Sequence, residues 1–371
     1  MARATAWPLR RAALGAAVVG AVLGLAAPDA RAAAPCTTAT AACIEWIAVS
    51  GTTMRAPVYR SHPLTTRAEG IASAFILVHG ASRDADQYYR HALAAAFLAG
   101  ALERTLVASP RFGSSDGNAC RDALGAQEAN WACAAGAESW RTGGAAVNDP
   151  ALTSFDVADQ LLRTLARRDL FPALKTIVVA GHSAGGQFVS RYAMANQVHE
   201  RLGVPVTYLV ANPSSYAYLD AIRPSPSALP ANVAAGTPGY TAPVPASPPP
   251  PFGPFADARN CTGYDRWPYG LRERAGYSAR IGDDDLKRQL AARPVTYVLG
   301  GLDILPLFAF DTSCAAMAQG PTRLARGLAY ARYVVDTHGA QHKTLLVPSC
   351  GHNARCMYTA ESVLPLVFPK E

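Results

Sequence analysis

Short apolar runs recur along the chain, and several end at glycine or proline. Residues 74–78 (Ala-Phe-Ile-Leu-Val) lead into His79-Gly80, residues 105–108 into Ser109-Pro110, and residues 176–180 into Gly181. Residues 206–210, 295–299 and 344–347 have the same character. Continuous apolar runs of this length predict strands covered on both faces. Between them, residues 84–98 and 187–196 carry helical spacing. Residues 155–167 put Val157, Leu161, Leu162 and Leu165 on one side of a helix. Such alternation predicts an α/β fold, a mostly parallel central sheet with helices on both faces.

Two stretches break the rhythm. Residues 113–147 are rich in Gly, Ala and Asn and contain Cys120 and Cys133, which predicts a long excursion over the carboxyl edge of the sheet. Residues 223–255 are proline-rich, with four consecutive prolines at 248–251, and predict neither strand nor helix. A linker between domains is one reading. Strand-like runs on both sides favour an insertion, a lid or loop, within a single domain over residues 35–371.

The first 34 residues predict a signal peptide. Arg10-Arg11 precede an apolar stretch over 12–27, and Ala30, Ala32, Ala33 and Ala34 follow. The run is short for a membrane anchor, and no later segment is long and apolar enough to span a bilayer. The destination is periplasmic or extracellular. Of the +7 formal charge, Arg3, Arg10, Arg11 and Arg31 against Asp29 place +3 in this stretch. The remaining +4 is scattered, without the gathered basic face that a nucleic-acid partner requires. Oligomeric state is not legible.

Export bears on the eight cysteines, an even count that predicts disulfides. Short loops point to Cys36–Cys43, Cys120–Cys133 and Cys350–Cys356, leaving Cys261–Cys314. Zinc on Cys350, His352 and Cys356 would lack a second cysteine pair at finger spacing.

The sharpest local signal is Gly181-x-Ser183-x-Gly185, preceded by an apolar strand and followed by a helix. That context defines a nucleophile turn, with Ser183 raised above the sheet and the Ala184 amide where an oxyanion would form. His182, inside the motif, reads as packing turned away from the hydroxyl. The segment Val178-Val179-Ala180-Gly181-His182-Ser183-Ala184-Gly185-Gly186 resembles the nucleophile region of α/β-hydrolases, particularly secreted bacterial esterases and lipases. The resemblance extends over about residues 70–365. It implies that Phe75-Ile76-Leu77-Val78-His79-Gly80 leads to a second oxyanion donor, Ala81, with Ser82 the alternative. His79 would orient that loop.

The family order of nucleophile, acid and base then implies an acid after a late strand. Val295–Gly300 followed by Gly301-Leu302-Asp303 supplies Asp303, with Asp311 and Asp220 in reserve. The base is His352, on a glycine-histidine step after the last strand; His338 and His342 read as surface residues. Tyr88, Tyr89, Trp131, Trp140, Trp267 and Tyr269 are aromatic candidates for a pocket wall, and residues 212–216 for its border.

The expected chemistry is hydrolysis of a carboxylic ester through an acyl-enzyme, on a small molecule or polymer such as a lipid, an acylated polysaccharide or a polyester. It requires no metal and no organic cofactor. A serine peptidase or amidase uses the same groups, and a non-catalytic binding protein on the same scaffold is the third reading.

Overall fold

The computed structural model describes residues 1–4, 34–225 and 251–369. The chain divides into two compact units, Met1–Ala32 and Ala33–Glu371. The stretch expected to be a signal peptide falls almost wholly outside the described residues, as does the centre of the proline-rich segment. Everything below concerns the second unit.

Eight strands form one sheet: β1 (Ile44–Ala48), β2 (Arg55–Arg60), β3 (Ser73–Val78), β4 (Thr105–Pro110), β7 (Thr176–His182), β8 (Val206–Ala211), β11 (Val295–Gly300) and β12 (Lys343–Val347). Their spatial order is β1-β2-β4-β3-β7-β8-β11-β12. The pairs β1/β2 and β2/β4 are antiparallel, and every later pair is parallel. Two short hairpins stand apart, β5 (Ala145–Ala146) with β6 (Asp149–Thr153), and β9 (Ile222–Pro224) with β10 (Phe252–Pro254).

Side-chain alternation explains the layering. In β3, Ala74, Ile76 and Val78 join one apolar cluster, while Phe75 and Leu77 join another on the opposite face. β7 divides in the same way, Ile177 and Val179 against Val178 and Ala180. The first face is covered by α2 (Ser154–Leu165), α3 (Ala184–Ala195), α4 (Asp283–Ala292) and α6 (Arg323–His338). The second is covered by α1 (Ala85–Leu98), α7 (Ala354–Thr359) and α8 (Leu364–Val367). A short α5 (Cys314–Met317) lies between β11 and α6. The α2 start is set by a reciprocal cap: Thr153 Oγ1 accepts from the Asp156 amide, and the Asp156 carboxylate accepts from the Thr153 amide.

The six apolar runs are strands, as their pattern predicts. Three features differ from the sequence expectation. The antiparallel strands β1 and β2 were not anticipated, because Glu45, Arg55 and Arg60 interrupt their apolar residues, so neither appears as a continuous apolar run. The proline-rich insertion does hold strand at its ends. Phe252 pairs with Pro224 and Pro254 with Ile222, so the insertion leaves and re-enters the domain through a paired stem. His338 and His342 are half-buried rather than on the surface. His338 Nε2 lies 2.8 Å from the Tyr333 hydroxyl, and His342 Nδ1 lies 3.1 Å from that of Tyr297.

All four expected disulfides form: Cys36–Cys43, Cys120–Cys133, Cys261–Cys314 and Cys350–Cys356. Cys261–Cys314 closes the longest loop, with a separation of 53 residues, and contributes on the order of 4 kcal/mol by restricting the unfolded chain.

The glycines around Ser183 are demanded by backbone packing. A Cβ on Gly185 would lie 2.2 Å from the Val78 carbonyl oxygen, and one on Gly181 would lie 2.2 Å from the Gly185 carbonyl oxygen. Neither neighbour is a side chain that can swing aside. We therefore expect Gly185→Ala to destabilise the fold by about 3 kcal/mol or more, beyond ordinary overpacking, measured as a lowered urea midpoint.

Candidate active site

The three candidate chemical groups come from three strand ends. Ser183 follows β7 in a left-handed conformation, φ 59° and ψ −119°, that L-residues rarely adopt. Its amide donates to the Ala211 carbonyl at the end of β8, which ties the strained residue to the neighbouring strand. Asp303 lies three residues past β11, where its amide donates to the Gly300 carbonyl in a tight turn. His352 follows β12 by five residues.

These side chains meet. His352 Nε2 is 2.9 Å from Ser183 Oγ, and its Nδ1 is 2.8 Å from Asp303 Oδ2. With Asp303 ionised, Nδ1 carries the proton, leaving the Nε2 lone pair to accept from the serine hydroxyl. The reserve acids are elsewhere. Asp220 lies 3.4 Å from His338, and Asp311 accepts from the Tyr269 hydroxyl at 2.8 Å.

Neighbouring loops fix this line. The Leu302 amide donates to the Cys350 carbonyl, joining the loop that carries Asp303 to the one that carries His352. Asn212, just past β8, accepts from the Gly300 amide at 2.8 Å and donates to the Gly351 carbonyl at 3.3 Å. Asn353 caps α7 by accepting from the Cys356 amide, and Cys350–Cys356 brackets His352.

A buried cation stands behind the carboxylate. Arg323 Nη1 is 3.6 Å from Asp303 Oδ1, with side chains 0% and 1% exposed. Arg323 Nε donates to Ser214 Oγ at 2.8 Å, and Nη2 donates to the carbonyls of Leu307 and Phe308, each at 2.7 Å. This residue was not found from sequence, where an arginine opening a helix reads as a solvated charge.

His182 is 2% exposed and packed, as read from sequence. Its ring centroid lies 4.6 Å from that of His352, and its Nδ1 is 3.1 Å from the Tyr88 hydroxyl. Burial, chiefly, and then the His352 and Arg323 charges hold it well below the ordinary imidazole range. A neutral ring thus lies beside the candidate base.

A cavity of about 380 Å³ opens over Ser183 and His352. Gly80, Ala81, Tyr88, His91, Phe308 and Arg355 are among its walls. Of the aromatic candidates, Tyr88 lines it. Tyr89, Trp131, Trp140 and Trp267 are buried in the interior, and Tyr269 borders a second cavity. Residues 212–216 support the site from behind rather than bordering this cavity. Ala184 opens α3, where the first amides have no intrahelical acceptor, and Ala81 stands on the facing loop.

That loop is positioned by His79. The Phe112 amide donates to His79 Nε2 at 3.0 Å, so Nδ1 carries the proton and donates to the Gly80 carbonyl at 2.9 Å. Trp140 packs on the His79 ring at 4.6 Å, and Arg83 pairs with Asp122 of the long excursion at 2.5 Å. The excursion thus clamps the loop, as its expected course over the sheet edge requires.

The comparisons agree with this architecture. A model of the Alpha/beta hydrolase family matches residues 75–362, and the chain belongs to that family. Among solved structures, LpqC, a poly(3-hydroxybutyrate) depolymerase from Bordetella parapertussis, is 20% identical. The match covers 85% of this chain and 84% of that one, with a TM-score of 0.54. Poly(aspartic acid) hydrolase-1 from Sphingomonas sp. KT-1 is 18% identical over 88% of this chain and 98% of its own, with a TM-score of 0.52. At these identities the likeness shows a shared fold. No curated protein matches the chain.

Burial of His79 pushes its pKa down to about 4, although the Gly80 carbonyl opposes the shift. A base depressed in the folded state favours unfolding once the unfolded chain takes up a proton. We expect His79 to leave stability unaffected above about pH 6.5 and to lower it by about 1.4 kcal/mol per pH unit from there to pH 4. Urea titrations across this range should show that slope, reduced in His79→Gln.

Proposed function

We propose that the chain is an exported serine hydrolase that cleaves carboxylic esters, with Ser183 as nucleophile, His352 as general base and Asp303 as its orienting acid. The single observation carrying this reading is the continuous hydrogen-bonded line Ser183–His352–Asp303 at 2.9 and 2.8 Å, inside a cavity.

In this mechanism Ser183 Oγ attacks the acyl carbonyl as its proton passes to His352 Nε2. Asp303 stabilises the imidazolium through Nδ1–H, and the buried Arg323 faces its other carboxylate oxygen and orients it. The amides of Ala184 and Ala81 receive the oxyanion. His352 then returns the proton to the leaving alcohol. Water, deprotonated by the same nitrogen, releases the acyl group and restores the serine. The neutral His182 ring adds no charge to oppose the imidazolium. The groups that act belong to the chain itself.

Export is supported by the amino-terminal pattern and by four disulfides, which persist in oxidising compartments. The mature protein in this proposal is a single domain over residues 35–371, with the proline-rich insertion on the β9–β10 stem.

A fluorophosphonate probe should label Ser183, and Ser183→Ala should abolish both labelling and p-nitrophenyl ester hydrolysis, a loss of about 10⁴-fold or more. Peptide anilides should turn over far more slowly than esters. Equal rates on anilides would favour the amidase reading, and an unlabelled Ser183 would overturn both.

A further inference from the structure

The loop between β11 and α5 carries a side chain to which the ester chemistry gives no role. Phe308 lines the cavity over Ser183, and its ring lies nearly parallel to that of His352, at 15° with centroids 6.2 Å apart. It is nonetheless 72% exposed, and Leu302, Leu305 and Leu307 of the same loop are exposed with it. Single apolar side chains on a surface need no explanation. Four in one loop that borders a reactive cavity do.

The loop is held in this shape against its own preference. Phe308 and Ala309 both lie in the left-handed region, with φ 51° and 54°, which a bulky side chain seldom adopts. Such a conformation persists only where the surroundings impose it. Here Arg323 does so. Its Nη2 donates to the carbonyls of Leu307 and Phe308, each at 2.7 Å, and its guanidinium lies 5.1 Å from the centre of the Phe310 ring. Arg326 covers that ring as well, at 4.3 Å. Beyond it, Asp311 accepts from the Tyr269 hydroxyl, and Cys314 is tied to Cys261. Phe310 is thus tucked against two guanidinium groups, while Phe308 is turned outward on an anchored backbone.

Position relative to the base decides which part of a substrate this ring meets. In the proposed reaction the carbonyl oxygen turns to the amides of Ala81 and Ala184. The leaving alcohol must instead lie within reach of His352 Nε2, which returns the proton to it. A group carried on the alcohol therefore leaves the reacting centre beside the imidazole, and Phe308 is the cavity-lining ring stacked there. The cavity has room for such a group, since its volume of about 380 Å³ is in the range of small-molecule sites. Tyr88, also in its wall, is buried with its hydroxyl on His182, which leaves Phe308 as the accessible aromatic face.

We propose that Phe308 is a specificity-determining residue whose ring receives the alcohol portion of the ester, so that the preferred substrates carry an aromatic or other cyclic apolar alcohol. This inference rests on the ester-hydrolase reading and names the substrate class of that same site, but binding of the alcohol can be tested without turnover.

The experiment has two arms. In the first, kcat/KM is measured for methyl acetate, benzyl acetate and methyl phenylacetate. Methanol and benzyl alcohol are leaving groups of similar acidity, so the ratio of their acetates reports contact rather than reactivity. Methyl phenylacetate moves the same ring to the acyl side. Wild type should favour benzyl over methyl acetate, and Phe308→Ala should reduce that ratio by about tenfold. The ratio of methyl phenylacetate to methyl acetate should stay as in wild type, and Phe308→Tyr, which keeps the ring, should retain the benzyl preference. In the second arm, saturation-transfer nuclear magnetic resonance on Ser183→Ala should detect benzyl alcohol through its ring protons, with the signal lost when Phe308→Ala is added. Far-ultraviolet circular dichroism establishes that each variant is folded. Phe308→Gly, which suits a positive φ, repeats both arms should alanine distort the loop, with the same losses expected. An unchanged benzyl-to-methyl ratio, or an equal fall for both acetates, would overturn the proposal and leave the ring as packing on His352. A loss confined to methyl phenylacetate would overturn it by placing the ring on the acyl side. If no ester is hydrolysed, the reaction assignment fails, while the resonance arm still decides whether Phe308 binds the alcohol.

Discussion

One backbone bend organises the centre of this protein. Ser183 occupies a left-handed conformation unfavourable for an L-residue, and its surroundings make that conformation hard to relax. Its amide is committed to the Ala211 carbonyl, while the glycines on either side allow β3, β7 and α3 to approach at distances that exclude a Cβ. The strain is local, and the sheet bears it. β3 and β8 flank β7 in parallel register through Val78, Gly181 and Val210 up to the turn, so the bend starts from a fully paired strand. A serine on a flexible loop would spend much of its time out of reach of His352.

The second constraint is electrostatic. Asp303 and Arg323 are both almost inaccessible to water, and each would be destabilising alone. The guanidinium is held by Ser214 and by two loop carbonyls as well as by the carboxylate. Asp303 divides its oxygens between His352 and Arg323. The pair therefore gives direction as well as charge: the carboxylate can rotate little without losing one partner. Arg326 extends the same network, donating to the carbonyls of Gly320 and Ser214.

Much of this was legible in the sequence, and the division has a physical basis. Buried parallel strands must be apolar on both faces, so six of the eight strands appeared as apolar runs. The nucleophile turn was visible because backbone contact forbids side chains at Gly181 and Gly185. Asp303 and His352 were found because strand order restricts where partners of Ser183 can stand. Short sequence separation identified three disulfides, and the fourth followed by elimination. Arg323 was hidden for the opposite reason. A charged residue in a helix or loop has the same sequence signature whether it faces water or lies within a polar network, and only the tertiary fold distinguishes them. Asn212 was seen only as bordering a pocket, since its two hydrogen bonds join chain segments far apart in sequence. The direction of His182 depends on the α1 residue Tyr88, which no local pattern around the serine could reveal.

The disulfides and the loop hydrogen bonds divide the stabilising work between the unfolded and the folded chain. Cys350–Cys356 closes a short loop, so it restricts the unfolded chain less than Cys261–Cys314 does. Its location is more informative than its entropy. It spans the histidine at a point where the backbone has left β12 and has only the short α7 ahead. Hydrogen bonds from Leu302 and Asn212 approach the same loop from the acid side. A covalent bracket on one side and hydrogen bonds on the other restrict both the translation of the loop and the tilt of the imidazole it carries. Small displacements at this position lengthen two hydrogen bonds at once, to Ser183 and to Asp303. The loop is consequently tethered at several points although few of its residues belong to regular structure.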